Sequence, residues 1–266
     1  MTKDKINVSN YLAQYLQQIG IKNVFMLSGT GSIYLDDAFA HTKGINYICA
    51  KHEAAAAVMA EGEAKLTNNL GVVIATTGPG GTNAIGGIVE SWVDSIPVLI
   101  ISGQVFNSQV SKNVRSFGVQ GFNIIENVKK ITKYSAQVKS PKLIRYHLDK
   151  AIYHAFNGRP GPVWLDMPFD VQYALVNPSK LKSFKKPIKK NNSRNLKNKI
   201  NLVLKNLKTC KRPVIVFGQA IRQSNSIDLF TKFIEKLNIP AVSARMAIDI
   251  LPYNHKLNFG LGGMRG

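Results

Sequence analysis

Three short segments of this 266-residue sequence carry residues that could do chemistry, and each follows an apolar run. The first is Lys51-His52-Glu53, the second is the run Thr-Thr-Gly-Pro-Gly-Gly-Thr-Asn at residues 76–83, and the third contains Gln120. In open α/β sheets, ligands bind where the carboxyl ends of strands meet. If the apolar runs are strands, the sequence places these segments at one edge of a sheet.

Each segment also has a purely structural explanation. A carboxylate such as Glu53 in the first turn of a helix is stabilised by the helix dipole, although a positioned carboxylate can equally transfer protons. The glycine-rich run could bind an anion or a ring nitrogen through its backbone N–H groups, or serve only as a turn. It is not a P-loop, and the sequence around Gly29 and Gly31 lacks the third glycine of a dinucleotide-binding motif.

Hydrolytic and metal-dependent chemistry have no support in the sequence. The five histidines, with Cys49 and Cys210, show neither metal-ligand spacing nor an adjacent nucleophile, and there is no Gly-x-Ser-x-Gly sequence. Two distant cysteines also argue against a disulfide framework and favour a reducing compartment. No apolar segment approaches the roughly 20 residues of a membrane span, so we expect a cytoplasmic protein with no membrane partner.

Apolar runs alternate with segments of helical period, which predicts an α/β fold with an open, mostly parallel sheet and helices on both faces. A second α/β domain with too few strands for a complete sheet is expected to follow, either truncated or completed by another chain. The first domain has predicted strands at 24–27, 47–50, 72–76, 98–102, 132–138 and 163–166, and helices at 7–19, 34–39, 53–66, 83–93 and 141–156. A glycine-rich turn is predicted at 77–82, with Thr82 or Asn83 capping the helix that follows, and a polar loop is predicted at 104–113.

The net charge of +20 is concentrated in one region, since residues 171–227 contain fourteen Lys and Arg and no acid. Nine of the fourteen lie within residues 180–199, where proline and asparagine are frequent. We interpret this run as a solvated linker rather than a nucleic-acid patch or a site for an anionic partner. The predicted domains are therefore residues 1–172, a basic linker at 173–194, and a second domain at 195–266.

Taken in order, the three segments resemble the N-terminal pyrimidine-binding domain of thiamine diphosphate enzymes of the acetolactate synthase type. The run at residues 51–105 carries the resemblance, with its Lys-His-Glu, Thr-x-Gly-Pro-Gly, Asp-Ser-Ile-Pro and Gly-Gln-Val elements. Residues 211–220 and 261–266 are similar to the start of the central domain of these enzymes.

The resemblance implies a role for several residues. The Glu that matches Glu53 binds N1′ of the cofactor's aminopyrimidine and relays a proton, and Gln120 matches a Gln beside the substrate adduct. Gly29 matches a loop near the reacting centre. The residues that line the pyrimidine side match Thr76, Pro79 and Asn83.

The resemblance also implies partners. The cofactor would be thiamine diphosphate with Mg²⁺, and the Mg²⁺ and diphosphate would be held by a C-terminal domain that has no counterpart in this sequence. That domain would come from a neighbouring subunit, in a homodimer or tetramer, or from a separate chain. We therefore expect the isolated chain to be inactive, and we expect no nucleic-acid partner.

Departures from the family pattern leave open which substrate the protein uses and whether it binds a flavin. Ser28-Gly29-Thr30 stands where Pro-Gly-Gly is common, and Val119 stands where a Phe precedes the Gln. Gly218-Gln219-Ala220 stands where a glycine triplet is usual, and Arg265 stands where a His is usual. These two departures leave it open whether the protein binds FAD. The favoured function is carboligation of 2-oxo acids such as pyruvate to 2-acetolactate; the alternatives are a decarboxylase or lyase of the same superfamily, and an inactive remnant or interaction subunit.

Overall fold

The computed structural model describes residues 5–111, 113–187 and 193–263. The chain divides into two compact units after Pro187. Two of the predictions concern residues outside these ranges. They are the departure from the family pattern at Arg265 and the part of the basic run at residues 188–192.

The first unit is built on a sheet of six parallel strands, confirming the predicted fold class. The strands of this unit are Ile6–Asn7 (β1), Asn23–Met26 (β2), Asn46–Cys49 (β3), Gly71–Ala75 (β4), Val98–Gln104 (β5), Tyr134–Gln137 (β6), Val163–Pro168 (β7) and Leu175–Val176 (β8). The order across the six-stranded sheet is β3-β2-β4-β5-β7-β6, and a separate antiparallel pair joins β1 to β8. The strands β4, β5 and β7 at the centre of the sheet are buried along their whole length, as expected for a sheet covered on both faces.

Helices cover both faces of this sheet. The helices are Val8–Gln18 (α1), Ile33–His41 (α2), Glu53–Thr67 (α3), Pro79–Asp94 (α4), Ile124–Val128 (α5), Ile144–Phe156 (α6) and Phe169–Tyr173 (α7). Successive strand residues point to opposite faces, so Val72 and Ile74 pack with α1, α2 and α6, whereas Val73 packs with α3, α4 and α5.

Helix α4 begins at Pro79, four residues earlier than predicted. The prediction that Thr82 or Asn83 caps this helix is wrong, because both residues lie inside it. The turn consists of Thr77 and Gly78, which has a positive φ of 63°, and Pro79 then occupies the first helical position, where its fixed φ is suitable. The glycine-rich run is therefore mostly the first turn of α4. The Thr82 hydroxyl donates to the carbonyl of Pro79. The Asn83 side chain donates to Glu53 on α3.

The first part of the predicted linker differs from a solvated chain. Leu175 pairs with Asn7 between β8 and β1, and Leu181 is buried. The backbone N–H of Phe184 donates to Asp149, and the Phe184 ring lies edge-on to Tyr146 with centroids 5.8 Å apart. Apolar residues among the lysines thus hold residues 175–184 on the first unit.

The second unit contains a small parallel sheet and helices. Its elements are Ser193–Thr209 (α8), Ile215–Phe217 (β9), Ala220–Gln223 (α9), Ile227–Leu237 (α10), Ala241–Ser243 (β10) and Asn258–Leu261 (β11). The order of the strands is β11-β10-β9. Strand β11 was not predicted, because its four residues include a glycine and show no regular alternation. No helix in the described ranges has the length and apolar character that crossing a bilayer requires.

Helices α3 and α4 pack closely because small residues face each other. A Cβ at Gly87 would lie 2.6 Å from the Cβ of Ala57 and 2.9 Å from the carbonyl oxygen of Ala54. At the neighbouring Gly86 a Cβ would meet nothing within 4 Å. Gly87 is therefore required by packing and Gly86 is not.

These adjacent glycines give a matched pair of stability predictions. Gly87→Ala forces α3 and α4 apart and should lower the free energy of unfolding by about 1–3 kcal/mol. Gly86→Ala improves helix propensity at an open position and should raise it by about 0.5–1 kcal/mol. Urea unfolding followed by tryptophan fluorescence measures both, since Trp92 and Trp164 both lie in the first unit. Equal effects of the two changes would contradict the close packing.

Candidate functional site

Glu53 lies at the start of α3, directly beyond the carboxyl end of β3. The Nδ1 atom of His52 accepts from the N–H of Ala54 and caps the helix, at 3.1 Å. This places Glu53 in the first turn, where the dipole favours its carboxylate. Its side chain is only 5% exposed, and its Oε2 accepts a hydrogen bond of 3.0 Å from Asn83 Nδ2.

The second carboxylate oxygen of Glu53 accepts no hydrogen bond from the described residues. It faces Gly80 in the first turn of α4, where a Cβ would lie 3.3 Å from Oε1 and 2.8 Å from Cγ2 of Thr76. Gly80 thus leaves room beside Oε1 that a larger residue would fill. The site presents one fixed and one free oxygen of a mostly buried carboxylate.

Residues 28–32 form a loop that several elements hold in place. The N–H of Gly31 donates to Thr76 Oγ1 at 3.1 Å, and Gln172 Nε2 donates to the carbonyl of Gly31 at 2.7 Å. The Asp36 carboxylate accepts from the N–H of Gly29 at 3.3 Å and from the hydroxyl of Ser32 at 3.0 Å. The loop is therefore fixed at both ends and in the middle.

Three of the predicted site residues, Gly29, Thr76 and Gln120, line one cavity of about 610 Å³. Glu53, Pro79 and Asn83 are outside this lining, but Thr76 connects the two groups because its side chain is next to Gly80. The full lining consists of Gly29, Thr30, Gly31, Thr76, Thr77, Gln104, Val105, Phe106, Gln109, Val119, Gln120 and Phe169.

Gln120 is held in an unusual backbone conformation. Its φ is 60°, in the left-handed region, and a Cβ at Gly78 would lie only 2.2 Å from its carbonyl oxygen. Gly78 therefore permits the close approach of the Gln120 turn to the start of α4. The neighbouring Val119 is 82% exposed.

Several residues of this region were not predicted to matter. The hydroxyl of Thr77 lines the cavity, is buried, and has no hydrogen-bond partner among the described residues. Gln104 was placed in a polar loop, which is wrong: it ends β5, is 1% exposed, and binds Asp166. Their position at strand ends is the signal in the sequence that points to them.

No group of three or more His, Cys, Asp or Glu within the described part of the chain is arranged to hold a metal ion. Asp36, Asp166 and Glu53 are each held by neutral donors instead.

Two family descriptions match most of the chain. Residues 6–130 match "Thiamine pyrophosphate enzyme, N-terminal TPP binding domain", and residues 200–266 match "Thiamine pyrophosphate enzyme, central domain". The chain belongs to the thiamine pyrophosphate enzyme family. The predicted family resemblance is confirmed.

Relatives within this family include acetolactate synthases. The chain is 35% identical over 258 residues to the acetolactate synthase large subunit of Lactococcus lactis, covering 97% of this chain and 44% of that protein. It is 35% identical to the large subunit of Buchnera aphidicola subsp. Schizaphis graminum, covering 93% and 43%. It is 33% identical to the isozyme 3 large subunit of Escherichia coli, also covering 93% and 43%. The chain spans less than half the length of these relatives.

The site fits the pyrimidine part of thiamine pyrophosphate. The free oxygen of Glu53 lies in a mostly buried position beside a glycine, which suits contact with the edge of a flat ring. The cavity next to it is lined by neutral side chains and has room for a small organic group.

Asp36 gives the site a testable pH dependence. Burial raises the pKa of Asp36 to about 6, although hydrogen bonds from Gly29 and Ser32 act in the opposite direction. The folded chain binds this proton more tightly than the unfolded chain, so Asp36 lowers the free energy of unfolding progressively as the pH rises from about 4 to about 6. Asp36→Asn removes this contribution, and its stability relative to the wild type should rise over that interval and then stay constant.

Urea unfolding of both proteins at intervals from pH 4 to pH 8 measures the difference. Burial also raises the pKa of Asp166 to about 6, but Asp166 is present in both proteins and cancels. A difference that does not change between pH 4 and pH 6 would contradict the burial of Asp36.

Proposed function

We propose that this chain supplies the pyrimidine-binding half of a thiamine diphosphate site in a carboligase that joins 2-oxo acids, as in the formation of 2-acetolactate from pyruvate. The observation that carries the proposal is the carboxylate of Glu53, mostly buried, with one oxygen fixed by Asn83 and the other free beside Gly80. The acetolactate synthase relatives support the choice of reaction.

In this proposal Glu53 holds a proton at N1′ of the aminopyrimidine. Asn83 fixes the carboxylate so that Oε1 faces the ring, and the low exposure of the pair strengthens a hydrogen bond made there. When bound, thiamine diphosphate supplies the carbon that attacks the 2-oxo acid and the electron sink for decarboxylation. Thr76, Pro79 and Asn83 line the pyrimidine side.

The cavity beside Glu53 and Asn83 would hold the 2-oxo acid substrate. Gly29 and Gln120 line this cavity; Gly29 would leave room for the cofactor there, and the Gln120 amide would offer a donor and an acceptor to the 2-oxo acid. Phe106 and Phe169, with ring centroids 5.1 Å apart, form an apolar part of the wall that favours the alkyl end of the substrate.

The other half of the site is part of the proposal. A further domain, on a second copy of the protein or on a separate chain, would hold Mg²⁺ and the diphosphate. The relatives are more than twice as long as this chain, which leaves ample length for such a domain in a complete enzyme.

Replacement of Glu53 tests its proposed role. Glu53→Gln keeps the shape and the contact with Asn83 but cannot share a proton, so exchange of the thiazolium C2 proton should fall by roughly 100-fold or more in the assembled enzyme. Hydrogen–deuterium exchange of the bound cofactor, followed by NMR, measures the rate.

The matched control is Glu63→Gln on the same helix. Glu63 accepts a hydrogen bond from Asn23, away from the site, and its replacement should leave the exchange rate unchanged. Normal exchange in Glu53→Gln would remove Glu53 from the mechanism.

Binding of the cofactor to the isolated chain tests the division of the site. Glu53 and its neighbours can contact the ring but leave the diphosphate and Mg²⁺ without partners, so the chain alone should bind thiamine diphosphate with a Kd well above the micromolar range and should turn over no pyruvate. Titration calorimetry with Mg²⁺ measures the affinity. Micromolar binding by the purified chain would refute the half-site proposal.

A further inference from the structure

Asp166 is a carboxylate in the middle of the sheet that the mechanism above does not use. It lies on β7, is 1% exposed, and takes part in none of the ion pairs formed by the described residues. Three neutral donors surround it: Ser102 Oγ at 2.7 Å, Gln104 Nε2 at 3.1 Å and Gln137 Nε2 at 3.2 Å.

A charge in this position is costly. Burial raises the pKa of Asp166 to about 6, although the hydrogen bonds from Ser102, Gln104 and Gln137 act against that rise. The group is therefore mostly ionised at neutral pH, and its charge is compensated by hydrogen bonds alone. An apolar residue would cost less at this point of the core.

Gln104 connects Asp166 to the cavity wall. One hydrogen of its Nε2 goes to Asp166, the other goes to the carbonyl of Phe122 at 2.9 Å, and its Oε1 accepts from the N–H of Val105 at 3.0 Å. Because a carboxylate only accepts hydrogen bonds, Asp166 fixes which end of the Gln104 amide faces it. The other two bonds of the amide depend on that orientation.

Phe122 lies two residues after Gln120, so its carbonyl is a fixed point for the turn that carries Gln120. The N–H of Phe117 donates to the carbonyl of Gly121 at 3.2 Å, which closes this turn. Gly78 contacts the turn on one side, and Gln104 holds it on the other.

We propose that Asp166 is a positioning residue that orients the Gln104 amide and thereby holds the turn at residues 117–122, with Gln120, at the wall of the cavity. The significance of this position for 2-oxo acid chemistry rests on the proposed function. The mechanical link from Asp166 to the turn does not, since it involves only protein groups.

Amide hydrogen exchange of the full 266-residue chain tests the link. In Asp166→Leu, no acceptor faces the donors of Gln104 and Gln137, so the Gln104 amide is free to turn or move away. The Val105, Phe117 and Ile124 amides should then exchange roughly three- to tenfold faster, which corresponds to the loss of one hydrogen bond. The β4 amides at residues 72–74 should keep their wild-type rates.

Two further variants separate positioning from general stabilisation. Gln104→Met removes the amide and should reproduce the local acceleration. Ser102→Ala is the matched control, because it removes a different hydrogen bond to Asp166 and the one from Trp164 Nε1 but leaves Gln104 in place. It should not accelerate exchange at Phe117 or Ile124.

The side-chain resonances of Gln104 provide a spectroscopic signature. Its two Nε2 protons should be distinct and slowly exchanging in the wild type and in Ser102→Ala, and should lose that protection in Asp166→Leu. Should Asp166→Leu fail to fold, Asp166→Ser provides a smaller replacement with the same expected pattern, since one hydroxyl cannot accept from all three donors.

Two outcomes would overturn the proposal. If Asp166→Leu leaves the exchange of Val105, Phe117 and Ile124 unchanged while Gln104→Met accelerates it, Gln104 acts without Asp166. If all amides of the first unit accelerate together, Asp166 only stabilises the core. Neither outcome bears on Glu53, whose test uses the cofactor, so the two proposals fail separately.

Discussion

The carboxylate of Glu53 stays largely out of water because the residues around it are either small or hydrogen-bonded to it. Asn83 supplies the hydrogen bond, Gly80 leaves the space, and the start of α3 supplies a favourable dipole. This arrangement requires α3 and α4 to lie close together, which the contact of Gly87 with Ala57 permits. The close packing of α3 against α4 therefore also determines where the Glu53 carboxylate lies.

The loops beyond the strands lie close to each other at glycine positions. Gly31 bonds to Thr76, Gly78 lies against the carbonyl of Gln120, and a Cβ at Gly103 would lie 2.1 Å from the carbonyl of Gly31. These contacts require glycine because any side chain would separate the loops. The cavity between the loops is consequently defined by the strands that carry them, and its shape depends little on surface side chains.

The sequence predicts those parts of the fold that depend on local pattern. The periodic helices and the apolar strands of the first unit occur close to their predicted limits, and Glu53 follows its strand as expected. The start of α4 was missed because glycine and proline are typical of turns, although Pro79 suits a first helical turn. Residues 175–184 were taken for linker because the lysine-rich and asparagine-rich residues that follow them dominate the composition of the run, although Leu181 and Phe184 anchor this part.

Long-range partners could not be predicted in this way. Gln104 and Asp166 are polar residues 62 positions apart, and only the pairing of β5 with β7 brings them together. The same holds for Asn83 and Glu53, which are 30 positions apart on different helices. Composition alone predicts polar residues to be exposed, so buried polar pairs become apparent only once the strand order is known.

The buried acids also determine the electrostatic character of the site. Asp36 binds Gly29 and Asp166 binds Gln104, so each carboxylate is one hydrogen bond from the cavity lining. With pKa values of about 6, both are mostly ionised at neutral pH, and neither is in an ion pair formed by the described residues. Their charge is spread over neutral donors rather than cancelled, and it acts through a poorly solvated region. Among the described residues, hydrogen bonds rather than ion pairs therefore compensate these two acids, although the chain as a whole has a net charge of +20.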